Sequence, residues 1–211
     1  MSQTFNLDAI LYFPWARFIR KSLAMPHFSV KDISMIDPEK LRYYGFKGLV
    51  FDKDNTLTAP YVNEIFPTIR EAFNRYQSLY DGRLVIISNS AGTKDDKDYE
   101  DAKQIEHDLG ITVLRHARKK PGGIQEVLRF FDCGPQELVM FGDRIFTDIV
   151  FANRYGLLAI HTALLTEEGD NKAAAKIRRY EVPLLQRWKE AGIRAPNHPR
   201  CHADICLEEL F

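Results

Sequence analysis

The sequence predicts an α/β fold built on a doubly wound parallel sheet. Short apolar strands alternate with amphipathic helices from about residue 47 to residue 161, and parallel strands need such helical crossovers. The predicted strands are apolar at most positions, as expected when helices cover both faces of a sheet. Polar and acidic residues follow several strands directly. In sheets of this kind ligands bind beyond the carboxyl ends of the strands, so we expect the function there.

Each element is predicted from its apolar pattern and from the residues that end it. Ile69, Phe73 and Tyr76 have helical spacing. Gly110 and Gly156 are placed to end helices, and Pro121 is placed to begin one. In chain order, the predicted elements are a strand at 47–52, a helix at 67–80, a strand at 83–88, a helix at 97–109, a strand at 111–114, a helix from Pro121, a strand at 137–142, a helix at 146–155 and a strand at 157–161.

The composition fits one domain and excludes several classes of protein. The chain has 211 residues, 45% of them hydrophobic, which suffices for one substantial core but is short for two enzyme domains. Its 29 Lys and Arg balance 29 Asp and Glu, so no nucleic-acid partner is favoured. Three cysteines are too few for a disulfide framework and indicate a reducing compartment. The sequence predicts no membrane-spanning helix, because no apolar run approaches about 20 residues.

The chain divides into three predicted segments: an N-terminal basic aromatic arm at 1–44, the α/β domain at 45–195 and a C-terminal tail at 196–211. Residues 9–31 of the arm contain no acidic side chain. Trp15 and Phe18 beside Arg17 and Arg20 are compatible with peripheral membrane contact. A helix that packs on its own domain, or a mitochondrial targeting segment, explains the same pattern.

Four predicted strand ends carry polar residues that together indicate phosphoryl transfer. They are Asp52, Asp54 and Thr56; Ser88 and Asn89; Lys119 and Lys120; and Asp143, Arg144 and Asp148. Each group alone is typical of a helix cap or turn. Together, neighbouring carboxylates about 4 Å apart would repel by several kcal/mol at intermediate dielectric. A bound cation would offset that repulsion, and Mg²⁺ fits a ligand set of oxygen atoms.

The spacing of the first acidic pair assigns catalytic roles. Asp52 at the strand tip is the candidate nucleophile. Asp54, two residues later on the turn, is the candidate general acid and base. Thr56 is expected to brace that turn beside the substrate.

The remaining candidates would surround the transferred phosphoryl group. The Ser88 hydroxyl, the Asn89 backbone N–H and the Lys120 ammonium are expected near its oxygens. We prefer Lys120 to Lys119 because it directly precedes Pro121. Arg144 is a candidate for a second substrate phosphate, although such an arginine often only neutralises local charge.

These residues resemble the motifs of the haloacid dehalogenase (HAD) superfamily of phosphatases. The first motif, DxDxT, matches Asp52 to Thr56; the second matches Ser88; the third matches Lys120; and the fourth, GDxxxxD, matches Gly142 to Asp148. The resemblance covers about residues 47–161 and implies a HAD-like Rossmannoid fold with an aspartyl-phosphate intermediate. It also implies Mg²⁺ held by Asp52, the Asp54 carbonyl and Asp143, with Asp148 as a further or water-mediated ligand.

The lengths between motifs predict that the domain carries no large cap. HAD phosphatases often carry a cap that selects the substrate, inserted after the first motif or between the second and third. Here each of those two gaps has room for only one helix and one strand. We therefore expect an open site that suits a large or surface-fixed substrate such as a polymer end, a protein or a lipid headgroup.

The runs 51–58, 141–149 and 152–156 narrow the resemblance to the mitochondrial phosphatidylglycerophosphate phosphatase branch (HAD subfamily IIIA). It implies a phospholipid substrate, hydrolysis to phosphatidylglycerol for cardiolipin synthesis, and peripheral attachment at the matrix side of the inner mitochondrial membrane. One alternative is a HAD phosphatase of a soluble phosphorylated sugar or nucleic-acid end. A non-catalytic membrane-bound scaffold is another, which the intact Asp52 and Asp54 pair disfavours. A homo-oligomer is compatible with the sequence.

Two patterns near the C-terminus have weaker interpretations. His198, Cys201, His202 and Cys206 could form a zinc cluster, but their spacing matches no paired ligand motif and favours a solvated tail. Residues 172–179 predict a helix with an exposed basic face, with headgroup binding as the minority hypothesis.

Overall fold

The fold is one parallel sheet with helices on both faces. A computed structural model describes residues 20–170, 172–200 and 210–211, with the side chains of 172–174 excepted. The strands are β1 (Phe28–Val30), β2 (Gly48–Phe51), β3 (Leu84–Ile86), β4 (Thr112–Val113), β5 (Leu138–Gly142) and β6 (Leu158–Thr162). They form a six-stranded sheet in the order β1-β6-β5-β2-β3-β4, and every pairing is parallel. The predicted α/β class is confirmed.

Helices lie between the strands and after the last one. The α-helices are α1 (Pro38–Tyr43), α2 (Arg70–Leu79), α3 (Glu100–Leu109), α4 (Gln125–Phe131), α5 (Val150–Tyr155) and α6 (Lys172–Glu190). A π-helix at Ile145–Ile149 runs directly into α5. Short 3₁₀ turns occupy Lys21–Ala24, Ile33–Met35, Pro67–Ile69, Lys97–Tyr99 and Pro135–Glu137.

Alternation along the strands divides the core into two layers. Leu49 and Phe51 of β2 point into one apolar cluster, and Val50 between them points into the other. Residues of α1, α2 and α3 belong to the first cluster, while residues of α4, α5 and α6 belong to the second. The sheet is therefore covered on both faces, which explains why its central strands are apolar throughout.

The strand order places the predicted motifs together. β2 is central and pairs with β3 on one side and β5 on the other. Asp52, which follows β2, donates its backbone N–H to the carbonyl of Phe141 in β5 at 2.9 Å. The chain segments that carry Ser88 and Asp143 follow β3 and β5, so they emerge on either side of Asp52.

The sequence does not predict β1, the edge strand beside β6. Its three residues are too few for a periodic signal, and they lie in the segment assigned to the basic arm. The described part of that segment packs on the domain: Leu23 and Met25 are buried, and Asn153 of α5 donates to both of their carbonyls. The aromatic residues of the arm at 12–18 lie outside the described residues.

The helix predicted from Pro121 was wrong at its start. α4 begins only at Gln125. Gly123 has φ +82°, and a Cβ there would lie 2.6 Å from the Arg118 carbonyl oxygen. This left-handed turn, which glycine permits, separates Pro121 from the helix.

Part of the described tail is buried, although the sequence favours a solvated segment. His198 and Leu210 are buried, and Asp37 donates its backbone N–H to the Leu210 carbonyl at 2.9 Å. Cys201, His202 and Cys206 lie outside the described residues, so the zinc alternative stays open. Among the helices of the described residues, none has the length and apolar character needed to cross a bilayer.

Candidate active site

A buried lysine joins two of the predicted carboxylates. Lys120 has a side chain only 1% exposed, and its Nζ lies 2.7 Å from Asp52 Oδ1 and 2.6 Å from Asp148 Oδ1. Burial would lower the pKa of Lys120, but the negative charges of Asp148 and Asp52 outweigh it and raise that pKa. Lys120 is therefore a fixed cation at the predicted nucleophile. Lys119 instead pairs with Asp95 at 2.7 Å.

The backbone of Lys120 is fixed by the loop that follows β3. Its N–H donates to Asn89 Oδ1 at 2.7 Å, and the Asn89 side-chain amide donates back to its carbonyl at 3.5 Å. His116 has one ring nitrogen 2.8 Å from the Ser88 carbonyl and the other 2.7 Å from the Arg118 carbonyl. Sequence reasoning missed His116. It ties the Ser88 loop to the lysine loop, and the Asn89 side chain adds a second tie through Lys120. The role of the Asn89 backbone N–H stays a prediction.

Three carboxylates converge at the carboxyl end of the sheet. One oxygen from each of Asp52, Asp143 and Asp148 lies within 4.8 Å of the others. Asp143 Oδ1 is buried and has no hydrogen-bond partner among the described residues. Burial, together with the charge of Asp52, raises the pKa of Asp143 well above its usual range, and burial also raises that of Asp148. A bound cation would favour the ionised carboxylates, and their oxygens fit a hard divalent ion.

Gly142 makes room for this cluster. A Cβ on Gly142 would overlap the side chain of Asp148. The Asp148 carboxylate returns toward the end of β5, where its Oδ2 accepts the Arg144 backbone N–H at 3.1 Å. The glycine of the fourth motif is therefore required sterically.

Asp54 stands apart from the three clustered carboxylates. Its side chain is 33% exposed and lies 2.5 Å from the buried ammonium of Lys53. It also accepts the Tyr61 backbone N–H at 3.3 Å. The roles of Asp54 as acid and base, and of its carbonyl as a metal ligand, stay predictions.

Thr56 is buried in the turn after the first motif. Its N–H donates to the Lys53 carbonyl at 3.3 Å, while its hydroxyl has no hydrogen-bond partner among the described residues. Asn55, in the left-handed region at φ 61°, accepts the Thr166 N–H at 3.1 Å. The loop after β6 therefore braces this turn through Asn55, and the bracing role of the Thr56 side chain stays a prediction.

Ser88 is buried beside the cluster, and its hydroxyl lies 3.0 Å from that of Ser90. Arg144 brings positive charge to Asp143, Asp148 and Glu181. Its Nε is buried without a hydrogen-bond partner among the described residues. This arrangement favours charge neutralisation, and the substrate role of Arg144 stays a prediction.

Helix α6 supplies two site residues that sequence reasoning missed. The Nε of Arg178 donates to Asp143 Oδ2 at 2.8 Å, and its Nη2 lies 2.7 Å from the same oxygen. Glu181 accepts the Phe146 N–H at 3.1 Å, and burial raises its pKa. The expectation that residues 172–179 present an exposed basic face was wrong for Arg178, which is buried. A signal was present, because Arg178, Glu181, Leu185 and Trp188 share one helical stripe.

The comparisons with known proteins agree with this geometry. The model of the family described as mitochondrial PGP phosphatase, where PGP stands for phosphatidylglycerophosphate, matches residues 14–164. The chain belongs to this family. Membership covers the strands and turns that carry Asp52, Ser88, Lys120, Asp143 and Asp148.

Relatives of this chain from a plant, a yeast and a bacterium are similar to it over most of its length. The chloroplastic/mitochondrial phosphatidylglycerophosphate phosphatase 1 of Arabidopsis thaliana is 42% identical over 200 residues, which are 94% of this chain and 58% of the relative. The mitochondrial phosphatidylglycerophosphatase of Saccharomyces cerevisiae is 38% identical over 190 residues, 87% of this chain and 96% of the relative. A probable phosphatase of Bacillus subtilis is 30% identical over 175 residues, 82% of this chain and 95% of the relative. No solved structure matches significantly.

Proposed function

We propose that the chain is a phosphatidylglycerophosphate phosphatase, which hydrolyses the terminal phosphomonoester to phosphatidylglycerol, the cardiolipin precursor. The observation that carries the proposal is the ion pair of Asp52 with the buried Lys120, beside two further carboxylates, in a chain of this family. Phosphoryl transfer needs a nucleophilic carboxylate, a fixed cation and carboxylates that can bind a metal ion. The names of the plant and yeast relatives support the lipid substrate.

Asp52 is the proposed nucleophile. Its carboxylate attacks phosphorus, the bond from phosphorus to the lipid oxygen breaks, and an aspartyl phosphate forms on Asp52. Asp54 gives its proton to the departing lipid oxygen. Asp54 then accepts a proton from the water that attacks phosphorus, which releases inorganic phosphate and restores Asp52.

The charge that develops on the phosphoryl oxygens is met by groups fixed before reaction. Lys120 lies against Asp52, and the Ser88 hydroxyl and the Asn89 N–H belong to the neighbouring loop. Because Asn89 and His116 hold these loops together, the donors need little reorganisation during transfer.

We propose Mg²⁺ as the cofactor, held by the clustered carboxylates of Asp52, Asp143 and Asp148 together with the Asp54 carbonyl. The raised pKa values of Asp143 and Asp148, and the unpartnered Oδ1 of Asp143, support a hard cation there. Mg²⁺ would supply Lewis-acid polarisation of a phosphoryl oxygen.

The openness of the site supports a substrate fixed in a surface. Between Asp54 and Ser88 the structure contains α2, β3 and short turns, and between Ser88 and Lys120 it contains α3, β4 and short turns, with no inserted cap. The carboxylate of Asp54 remains 33% exposed. A lipid headgroup presented by a bilayer can reach such a site without a closing domain.

We propose peripheral attachment to the matrix side of the inner mitochondrial membrane. Helix α6 supports this: one face is buried at the site, and the described residues of the other expose apolar and basic side chains. These are Lys176, Ile177, Arg179, Tyr180 and Val182. Such a surface suits anionic headgroups above an apolar layer.

Co-sedimentation with vesicles tests the attachment. We expect more binding to phosphatidylcholine vesicles that contain phosphatidylglycerol than to pure phosphatidylcholine, and less in the K176E/R179E variant. Equal binding to both vesicles would exclude an anionic membrane partner.

The decisive test of function is a substrate panel. Phosphate release from phosphatidylglycerophosphate in mixed micelles is compared with release from soluble sugar phosphates and nucleic-acid 3′ and 5′ phosphates, with Mg²⁺ and with chelator. We expect preference for the lipid, loss of activity in chelator and loss in D52N. The matched control is D81N, the same change in the exposed turn before β3. Preference for a soluble ester would reject the lipid substrate, and D52N turnover equal to wild type would reject the nucleophile.

A further inference from the structure

Helix α6 reaches the cluster of Asp52, Asp143 and Asp148 through one buried arginine. Arg178 directs two nitrogens at a single oxygen of Asp143: Nε is 2.8 Å and Nη2 is 2.7 Å from Oδ2. Its remaining nitrogen, Nη1, pairs with Asp170 in the loop before α6. The guanidinium is thus bound between the buried carboxylates of Asp143 and Asp170.

The two oxygens of Asp143 have different surroundings. Oδ2 is engaged by Arg178, whereas Oδ1 has no hydrogen-bond partner among the described residues. A carboxylate without this contact could turn about its Cβ–Cγ bond and exchange its oxygens. With Oδ2 held by two N–H groups in a planar fork, one orientation is selected and Oδ1 remains available to a cation.

The next buried residue along α6 binds the backbone of the segment that carries Asp143 and Asp148. Glu181 lies three residues after Arg178 and accepts the Phe146 N–H at 3.1 Å. Phe146 lies between Asp143 and Asp148 in the chain. Two successive inward residues of α6 therefore fix the chain segment that carries both buried carboxylates.

We propose that Arg178 is a positioning residue for the divalent metal: it presents Oδ1 of Asp143 and so couples metal affinity to the docking of helix α6. The inference rests on the metal site of the proposed function, and it assigns α6 a role in catalysis that the motif residues do not reveal. A simple counter-charge would act in the opposite direction. Removing a positive charge beside three carboxylates strengthens attraction for a dication, whereas losing the orientation of a metal-binding carboxylate weakens it.

The test is direct Mg²⁺ titration by isothermal calorimetry of the full chain, which needs no turnover. We expect R178Q to raise the Mg²⁺ Kd at least tenfold, within the roughly 10–100-fold typical for partners of metal ligands. R178K keeps the charge but loses the contact of two nitrogens with Asp143 Oδ2, so it should raise the Mg²⁺ Kd by a smaller factor. D170N, which removes the ion pair that holds Nη1 of Arg178, should also raise the Mg²⁺ Kd. The matched control is R187Q, the same substitution on the exposed side of α6, and its Kd should equal that of wild type.

Activity provides a second readout that general loss of structure would not give. For R178K, the KM for Mg²⁺ should rise while kcat at saturating Mg²⁺ stays within about twofold of wild type. If R178Q fails to fold, R178K and D170N carry the test. Unchanged or tighter Mg²⁺ binding in the folded variants overturns the positioning role. No Mg²⁺ binding by wild type would instead reject the metal site and with it the proposed mechanism.

Discussion

Replacing Lys120 by methionine is the perturbation whose effect the structure constrains most tightly. The ammonium lies 2.7 Å from Asp52 and 2.6 Å from Asp148, and it is only 1% exposed. At a dielectric of 20, each contact corresponds to a gross attraction of about 6 kcal/mol, much of which desolvation offsets. Removing one partner of a buried ion pair typically costs about 3–5 kcal/mol. We expect K120M to lose that much unfolding free energy in chelator.

Urea denaturation followed by circular dichroism measures the loss. Mg²⁺ should restore part of it, because a dication supplies the missing positive charge. K119M is the matched control: Lys119 is 16% exposed and pairs with the partly exposed Asp95, and surface pairs contribute about 0–1 kcal/mol. If K120M and K119M were equally stable in chelator, Lys120 would not be the cation that holds the carboxylates, and the reasoning would fail.

Three further predictions address the core and the cluster. His27 accepts the Ala159 N–H at Nδ1, and burial lowers the pKa of His27 from 6.5 to about 4. The unfolded chain therefore binds a proton at His27 before the folded protein does. The free energy of unfolding should fall as the pH drops from 6.5 toward 4, by about 2 kcal/mol between pH 7 and pH 5. Urea melts should show a loss that is about 2 kcal/mol larger in wild type than in H27Q, because the buried His161 and His198 contribute to both proteins, and equal losses would refute the role of His27. The pKa of Asp143 is raised, so in chelator the stability of wild type relative to D143N should fall as the pH rises above about 4, and a rise would contradict the burial cause. G142A should displace Asp148 and weaken Mg²⁺ binding in calorimetry, and wild-type affinity would show that the turn tolerates a Cβ.

The central strands and their polar ends could be predicted because each signal is local. Five consecutive residues contain both the apolar strand β2 and Asp52, and the parallel order of the strands then brings Lys120 and Asp143 to the same edge. Lys120, which we preferred to Lys119, lies 2.7 Å from Asp52 in the structure, and its catalytic role stays a prediction.

The missing parts depend on contacts between distant segments. Arg178 is 35 residues from Asp143 in the chain, and nothing local distinguishes it from its exposed neighbours Lys176 and Arg179. Only its phase with Glu181 and Leu185 marks it as buried. Strand β1 was missed for a related reason: three residues become a strand because β6 offers a free edge to pair with.

The most direct test of the account is chemical trapping of the intermediate on Asp52. The protein is quenched with acid during turnover of phosphatidylglycerophosphate, reduced with borohydride and digested for mass spectrometry. Borohydride reduces an acyl phosphate to the alcohol, so a nucleophilic Asp52 should become homoserine, and the product should be absent without substrate. Homoserine at Asp54 or Asp143 instead, or unmodified Asp52 in a protein that turns over, would contradict the account.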